Sequence, residues 1–564
     1  MIGLRHCGSM VTFILGVALL LLSHYSVCSA QTEINISCTD LNDPVGTCTV
    51  SPPVSSLTNL VQTINDIKDC QVDPTTNTAV CTAVNGESFS CTKTTGDKAI
   101  CQFPDTTTIN CDITGTGASC TIAPPDQKQV DDTLKALSTS PPQQEMARVI
   151  GSICEKRNVS ADLQRDCDLL IGNALSGDTT QAKNALAQIT PDGAGAPIDA
   201  SHTSVNAQSR NVSLRLTELR SGAPGISLSG LILEKDGWNI SLADHPKNNY
   251  LYDDPRGGGA SADSAVNFGR LGVFINGTIS VGDKSNTMNE NGFDLNGMDI
   301  TAGVDYHYTD QLFAGMAFGY SASATKLNSG RGKLDMNGYN IILYSTYYAT
   351  QAVYIDASYS YGGNDYGQKR NIRYTLLDPI TLNNVDVDQT ASADYFGTQQ
   401  ALNLSAGYEL ATGSFTYGPY SRFQWVTSKV KGYNEQMSSI NAPGSGWALN
   451  IDSQSYQSLL LSLGGKVSYA ISRSWGVLVP QMSLELMHEF KNDLRVVSGQ
   501  FVGDPNNEKF RLPTNKPDVN YGNLSIGMSA VSPGGQTAYI NYDKLIGFKD
   551  LSYYAVSAGI RWEF

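Results

Sequence analysis

The sequence predicts an all-β membrane protein: a twelve-stranded antiparallel β-barrel of the outer-membrane kind, preceded by a small disulfide-rich segment of β plus α character. Three observations carry this. From residue 267 onward apolar and polar residues alternate with a period of two. The joints between these alternating runs are short and long by turns. Every cysteine falls at or before Cys167, so the chain has two parts of different chemistry.

The period of two is clearest at the last run. Tyr554, Val556, Ala558, Ile560, Trp562 and Phe564 share one face, and Ala555, Ser557, Gly559, Arg561 and Glu563 the other. Successive side chains of a strand point to opposite faces, so one face is apolar and the other polar or small. The same split recurs at 271–281, 300–308, 402–410, 461–471 and 524–530. Charged residues on the polar face at mid-strand suit a barrel whose apolar band meets lipid and whose interior is wet. No run after residue 30 is long and apolar enough for a membrane helix. The composition, with 53 Gly and 27 Tyr, suits tightly turned strands with aromatic girdles.

Twelve strands are expected, near 268–281, 292–309, 311–326, 333–349, 351–365, 385–411, 414–431, 448–471, 474–490, 519–532, 535–547 and 551–564. Short joints fall at Thr309-Asp310, Ala349-Thr350, Thr412-Gly413, Ser472-Arg473 and Pro533-Gly534. Longer ones fall mostly between them, at 282–291, 327–332, 366–384, 432–447 and 491–518. Outer-membrane barrels have short periplasmic turns and longer external loops. Backbone groups in lipid must be paired, so the sheet must close. Inward positions expected to line the lumen include Asp305, Glu409, Arg422, Lys466, Glu485 and Arg561.

Ahead of the barrel, residues 1–30 read as a secretory signal, with Arg5, an apolar core from Met10 to Leu22 and a small-residue end at Cys28-Ser29-Ala30. Residues 31–126 are polar and Thr-rich. From Cys70 to Cys120 the cysteines repeat every nine to eleven residues, with turn formers such as Asn85-Gly86 between them. The expected unit is one small strand and one turn, stapled by disulfides. Their pairing is open at this point, beyond the expectation that bridges are local. No CxxC pair suggests zinc. Residues 127–190 carry apolar residues at helical spacing and read as three or four short helices. Cys154 and Cys167 flank a turn between two of these and form the preferred disulfide. Residues 191–204 read as a flexible linker, and 221–266 as a polar insert with no assigned role.

Residues 205–220 form a further helix candidate. Val205, Val212, Leu216 and Leu219 mark a narrow apolar stripe, and Arg210, Arg215, Glu218 and Arg220 cover much of the rest. Such a helix is too polar for an ordinary core and suits a polar pore, although a solvated linker helix would look similar. In a wet lumen, pairs between these charges and inward-facing ones would be weak, about 0–1 kcal/mol each.

The runs NVSLRLTELRSGAPG (211–225), RLGVFINGTISVGDK (270–284), DITAGVDYHYTDQLFAGMAFGYS (299–321) and GIRWEF (559–564) together resemble the autotransporter, or type V secretion, family. The resemblance covers about 205–564. It implies a twelve-stranded barrel at 267–564, a pore helix, and an exported passenger on the N-terminal side. It also implies help from the barrel assembly machinery, after export of the chain by the Sec machinery. Tyr554, Trp562 and Phe564 resemble the C-terminal assembly signal of such barrels. Two features depart from the family: the short, cysteine-rich passenger and the insert at 221–266.

Chemistry is expected to be absent. After the leader the only histidines are His202, His245, His307 and His488, none before residue 200, which disfavours a passenger triad. No HExxH or GxSxG occurs. A net charge of −15 gives nucleic-acid binding no support. No cofactor or metal is expected. The expectation is a monomeric barrel in the outer membrane of a Gram-negative bacterium. It would display a small module, adhesive or structural, to an unknown surface ligand. A porin-like channel with a periplasmic N-terminal domain, and a barrel-anchored enzyme, remain the alternatives.

Overall fold

Alternation with a period of two cannot be satisfied by an open sheet in lipid, and the chain resolves this by closure. The structure is a computed structural model. It describes residues 127–221 and 271–563, with short breaks at 157, 176–178, 192, 310, 378–382 and 533–535, together with the backbone of ten strands between 34 and 241. The expected leader at 1–30, Phe564 and most of 221–266 lie outside the described residues.

The first strands are β1 (Ile34–Cys38), β2 (Cys48–Val50), β3 (Ile67–Asp73), β4 (Thr78–Ala83), β5 (Ser88–Lys93), β6 (Lys98–Gln102), β7 (Thr108–Thr114) and β8 (Gly117–Ile122). They form one antiparallel sheet in the order β2-β1-β8-β7-β6-β5-β4-β3. Five helices follow: α1 (Gln127–Leu137), α2 (Pro141–Lys156), α3 (Ala161–Leu175), α4 (Thr179–Ile189) and α5 (Ala196–Ser221). A small hairpin, β9 (Ile232–Lys235) and β10 (Trp238–Ser241), is the described part of the insert.

The barrel begins with β11 (Leu271–Lys284), β12 (Phe293–Thr309), β13 (Leu312–Leu327), β14 (Gly332–Tyr348), β15 (Val353–Leu377) and β16 (Asn384–Tyr408). After the short β17 (Leu410–Thr412) comes β18 (Phe415–Val430), and after β19 (Tyr433–Asn434), β20 (Gln436–Met437) and β21 (Leu449–Ile451) comes β22 (Gln454–Tyr469). Then follow β23 (Ile471–Arg473), β24 (Gly476–Glu489), β25 (Val496–Phe501), β26 (Phe510–Pro513), β27 (Asn520–Val531), β28 (Thr537–Ile546) and β29 (Leu551–Glu563). Twelve of these strands pair in antiparallel succession, and β29 pairs with β11 from Glu563↔Gly272 to Leu551↔Lys284, so the cylinder is shut.

Sidedness follows the alternation. In β12, Ile300, Val304 and Tyr306 face outward and are exposed, while Asp299, Thr301 and Asp305 face inward and are buried. The outward band includes Ile279, Phe318, Ile341, Leu463, Leu486, Ile540, Trp562 and Tyr554. A contiguous apolar exterior on this scale is a membrane surface rather than a water-facing one.

Three expectations need correction. The strand expected at 351–365 runs to Leu377 as part of β15, so the loop expected at 366–384 is much shorter. At about 3.3 Å per residue, the β15–β16 hairpin is far longer than the roughly 9–11 residues a membrane needs, and rises above it. The loops expected at 432–447 and 491–518, together with Leu449–Ile451, build a second sheet, β19-β21-β25-β26, at the same rim. The expected flexible linker at 191–204 is mostly the first part of α5, which starts at Ala196.

Helices α1–α4 cover this long-loop rim. Their core residues, among them Leu134, Ile150, Ile153, Leu163, Leu170 and Leu186, merge with Ile372 and Tyr374 of β15, with Trp447 just before β21, and with Phe501 and Phe510 of the rim sheet. Cys154 of α2 and Cys167 of α3 form a disulfide with Cα atoms 5.6 Å apart.

Candidate functional site

The lumen is occupied along its length by α5. The helix enters at the long-loop rim and ends near the start of β11, at the short-turn rim. Its sequence explains its place, because it presents one apolar stripe and polar groups elsewhere, and the barrel wall answers each. Val212, Leu216 and Leu219 pack on an inward patch of Phe274, Phe313, Ile342, Tyr344, Tyr348 and Tyr354. Val205 meets Ala401 and Val426 higher up. Burying each such side chain contributes about 1.5–3 kcal/mol.

The polar contacts are laid out in tiers. Ser201 Oγ donates to Gln399 Oε1 (2.9 Å), and Ser204 Oγ to Ser321 Oγ (2.7 Å). Gln208 Nε2 donates to the Tyr320 carbonyl (3.0 Å), while Thr301 Oγ1 donates to Gln208 Oε1 (2.6 Å). Asn211 Nδ2 donates to Thr301 Oγ1 (2.9 Å), and Asn211 Oδ1 accepts from Thr278 Oγ1 (2.7 Å). The backbone of β13 comes close here because Gly319 has no Cβ; one built there would collide with Asn340 and Gln208. Gly272 likewise leaves room for Arg215, whose Nη2 would lie 2.8 Å from an added Cβ.

Four charged helix residues fix the lower half. Arg215, 0% exposed at its side chain, makes a two-pronged contact with Asp305, Nε to Oδ2 at 2.8 Å and Nη2 to Oδ1 at 2.6 Å. The Arg215 guanidinium also lies 5.2 Å from the Phe274 ring centre. Tyr344 donates to Asp305 Oδ2 at 3.1 Å. Arg210 bonds Asp543 through Nε (3.1 Å) and Ser525 through Nη2 (2.6 Å). Arg220 pairs with Asp356, reaches Glu409 at 3.4 Å and sits 4.0 Å from the Tyr354 ring centre. Arg561 reaches the Glu218 carbonyl at 3.5 Å.

Lumen residues also pair with one another along the wall. Arg422 contacts Glu485 at 2.5 Å, Tyr420 donates to Glu485 at 2.7 Å, and Lys466 contacts Glu409. Between this wall and the helix lies a cavity of about 90 Å³ bordered by Arg210, Tyr354, Arg422 and Glu485. The helix therefore packs against β11–β18 and leaves a narrow gap toward β22, β24 and β27.

Every lumen residue expected from the sequence faces inward, yet the energetics differ from the expectation of weak, hydrated pairs. Arg215 and Asp305 are buried, so the wet-lumen value of about 0–1 kcal/mol does not apply to them. Sequence reasoning missed Asp356, Asp543, Asp299 and Phe274. The signal existed: Asp356 alternates with Ile355 and Ala357, and Asp543 follows Tyr539 and Asn541 on one face.

Residues 273–543 match the family model of the autotransporter β-domain. The barrel belongs to the autotransporter β-domain family. Among solved structures, the chain is similar to the translocator domain of autotransporter NalP from Neisseria meningitidis. That similarity has 14% identity and a TM-score of 0.40, covering 52% of this chain and 88% of that one. It is also similar to the β-domain of the Bordetella autotransporter BrkA, at 16% identity and a TM-score of 0.36, covering 52% and 100%. A third similarity is to the transport unit of AIDA-I from Escherichia coli, at 12% identity and a TM-score of 0.35, covering 56% and 94%. No curated protein matches the chain. As an autotransporter barrel it is an outer-membrane translocator of a Gram-negative bacterium. The long-loop rim is then external and the short-turn rim periplasmic.

On the external rim of this autotransporter, α1–α4 are held by specific bonds as well as by their core. Asp166 accepts from the backbone N–H of Gly444 (2.9 Å) and Gly446 (2.7 Å). Arg165 donates to the carbonyls of Asn441 (3.0 Å) and Ala442 (2.6 Å). Arg148 and Lys156 of α2 both contact Glu508, at 3.0 and 3.2 Å. Arg370 of β15 pairs two-pronged with Glu435 and donates to the Ile189 carbonyl at the end of α4 (3.1 Å). No group of residues suited to a metal occurs among the described residues. Tyr554 and Trp562 face outward on β29, while Phe564, the third member of the expected assembly signal, lies outside the described residues.

Proposed function

We propose that this autotransporter exports its own N-terminal segment and keeps it attached, displaying the cysteine-repeat sheet at the cell surface as an adhesive or structural module without catalytic activity. The observation that carries the reading is the docking of α1–α4 on the external rim. The helical part of the passenger is seated on the barrel by a shared apolar core that includes Trp447, Phe501 and Phe510. It continues through α5 into the pore. A passenger built for release would have little use for such a seat. Sec export and the barrel assembly machinery complete the route in this reading.

The test is an epitope inserted after Ala30 and probed by flow cytometry on intact cells. Labelling without permeabilisation is expected, with the tag migrating at full chain length on denaturing gels. Labelling only after permeabilisation would overturn the reading. It would favour the porin-like alternative, which the occupied lumen already argues against.

A further inference from the structure

The eight cysteines between Cys38 and Cys120 can in principle pair in about a hundred ways. The register of the N-terminal sheet reduces these to one. Cys38 is opposite Cys48, Cys70 opposite Cys81, Cys91 opposite Cys101, and Cys111 opposite Cys120. Directly opposed residues of an antiparallel pair have Cα atoms about 4.5 or 5.5 Å apart. Disulfides span about 4.4–6.8 Å. Every other neighbouring combination is off register. Cys81 faces Phe89 across β4–β5, and Cys91 faces Ala79. Cys101 faces Ile109 across β6–β7, and Cys111 faces Ala99. These pairs are diagonal, roughly 7–8 Å apart, beyond what a disulfide reaches without moving backbone.

The register also places all eight cysteines on one face. Ala79 and Cys81 share a face of β4, Ala99 and Cys101 share a face of β6, and Ile34, Ile36 and Cys38 share a face of β1, with Ile34 opposite Cys120. That face also carries Val72, Phe89, Ile109 and Ile113. The reverse face carries Thr78, Ser90, Asn110, Asp112, Ser119 and Thr121, with Val80 and Ile100 among them. The repeat is thus a row of half-cystines along the more apolar side of a sheet whose other side is mostly polar.

We propose that the sheet carries four disulfides, Cys38–Cys48, Cys70–Cys81, Cys91–Cys101 and Cys111–Cys120, each stapling one hairpin. Each bridge forms when two thiols are oxidised by a periplasmic protein disulfide. A new S–S bond forms in the sheet, the oxidant's S–S bond breaks, and the two electrons and two protons leave on it as a dithiol. Nearest-neighbour bridging has a physical consequence for export. A stapled hairpin is two strands wide, about 4.8 Å between backbones plus side chains, which is comparable to the 10–12 Å of a helix. The barrel already accommodates a helix in α5. The inference needs only passage through the periplasm, so it can fail while the display reading stands.

The experiment is disulfide mapping of the outer-membrane protein, alkylated without reduction and cut with an Asp-specific protease. Cleavage ahead of Asp69, Asp73, Asp97, Asp105, Asp112 and Asp126 separates these cysteines except Cys81 and Cys91, which share 73–96 and which fragmentation of that peptide between them resolves. The expected linked species are one of three peptides, 69–72 with 73–96 with 97–104, and one of two, 105–111 with 112–125. Residues 43–65 should be linked to the peptide ending at Thr39. Each bridge should remove two hydrogen masses and leave no alkylated cysteine. In the single variant Cys91→Ser, one new alkylated thiol is expected, at Cys101. A link between 97–104 and 105–111, or alkylated thiols in the native protein with or without bound zinc, would overturn the proposal. Failure of the surface epitope with this map intact would instead count against display alone.

Discussion

Arg215 and Asp305 carry the sharpest consequence at the level of single residues. Both are buried, and their geometry is two-pronged. Such a pair adds little relative to an apolar replacement, but removing one partner strands the other charge, at about 3–5 kcal/mol. Asp305→Ala is therefore expected to destabilise the folded barrel by about that amount. The readout is a lower transition temperature in the heat-modifiable gel shift of the purified protein. The double change Arg215→Met with Asp305→Leu should restore most of the loss; an unchanged transition in Asp305→Ala would show that the helix is not held there. On the external rim the relevant residue is Glu508. Hydrogen bonds from Arg148 and then Lys156 hold its carboxyl below the ordinary carboxylate range. A carboxylate with a lowered folded-state value stabilises above its unfolded pKa, about 4.3, and loses that contribution as pH falls through the lower value. Amide protection in α2, relative to the intrinsic exchange rate at each pH, should drop below about pH 4 in the native protein, and this step should be absent in Glu508→Gln.

Among the elements, α2 and α3 depend on a covalent tie. The Cys154–Cys167 bridge closes a loop of sequence separation 13, for which chain entropy gives about 3 kcal/mol. The double variant Cys154→Ser with Cys167→Ser should fold its barrel normally yet lose α1–α4 to limited proteolysis much faster. Equal protection would place the stability in the Trp447 contacts instead. The element that sequence reading placed least well is α5. Its core segment was legible because Val205, Val212, Leu216 and Leu219 keep a helical period. Its first turns were not, because Gly193, Gly195 and Pro197 read as turn formers and helix propensity there is weak. Those turns are ordered by tertiary bonds, Ser201 to Gln399 and Ser428, and Ser204 to Ser321. β15 was cut short for a similar reason. Gly367-Gln368-Lys369-Arg370-Asn371 is polar and resembles a loop, yet it pairs in full register with β16.

Taken as a whole, the molecule is a cylinder closed twice over, by a helix along its axis and by a helical cover on its outer mouth. Reconstituted in planar bilayers it is expected to pass little current. A chain lacking 127–221 should conduct several-fold more, and large conductance in the intact protein would contradict this account. Fold class, strand number and sidedness were legible in the sequence because lipid imposes one rule on every strand, and that rule has a period of two. The cover was not legible as a cover. Its helices were visible in 127–190, but their receptor is built from Trp447, Phe501 and Phe510 in stretches that read as loops, and no local pattern links residues some three hundred positions apart.

The seam between β29 and β11 is the clasp of the cylinder. Thirteen residue pairs from Glu563↔Gly272 to Leu551↔Lys284 join the two ends of the wall. Strip β29 away and both β28 and β11 become bare rims, each a row of donors and acceptors with neither water nor a partner strand in the hydrocarbon. A frameshift within the codons of β29 would thus cost far more than its 13 residues suggest, leaving an open trough that must fasten to another chain or be degraded.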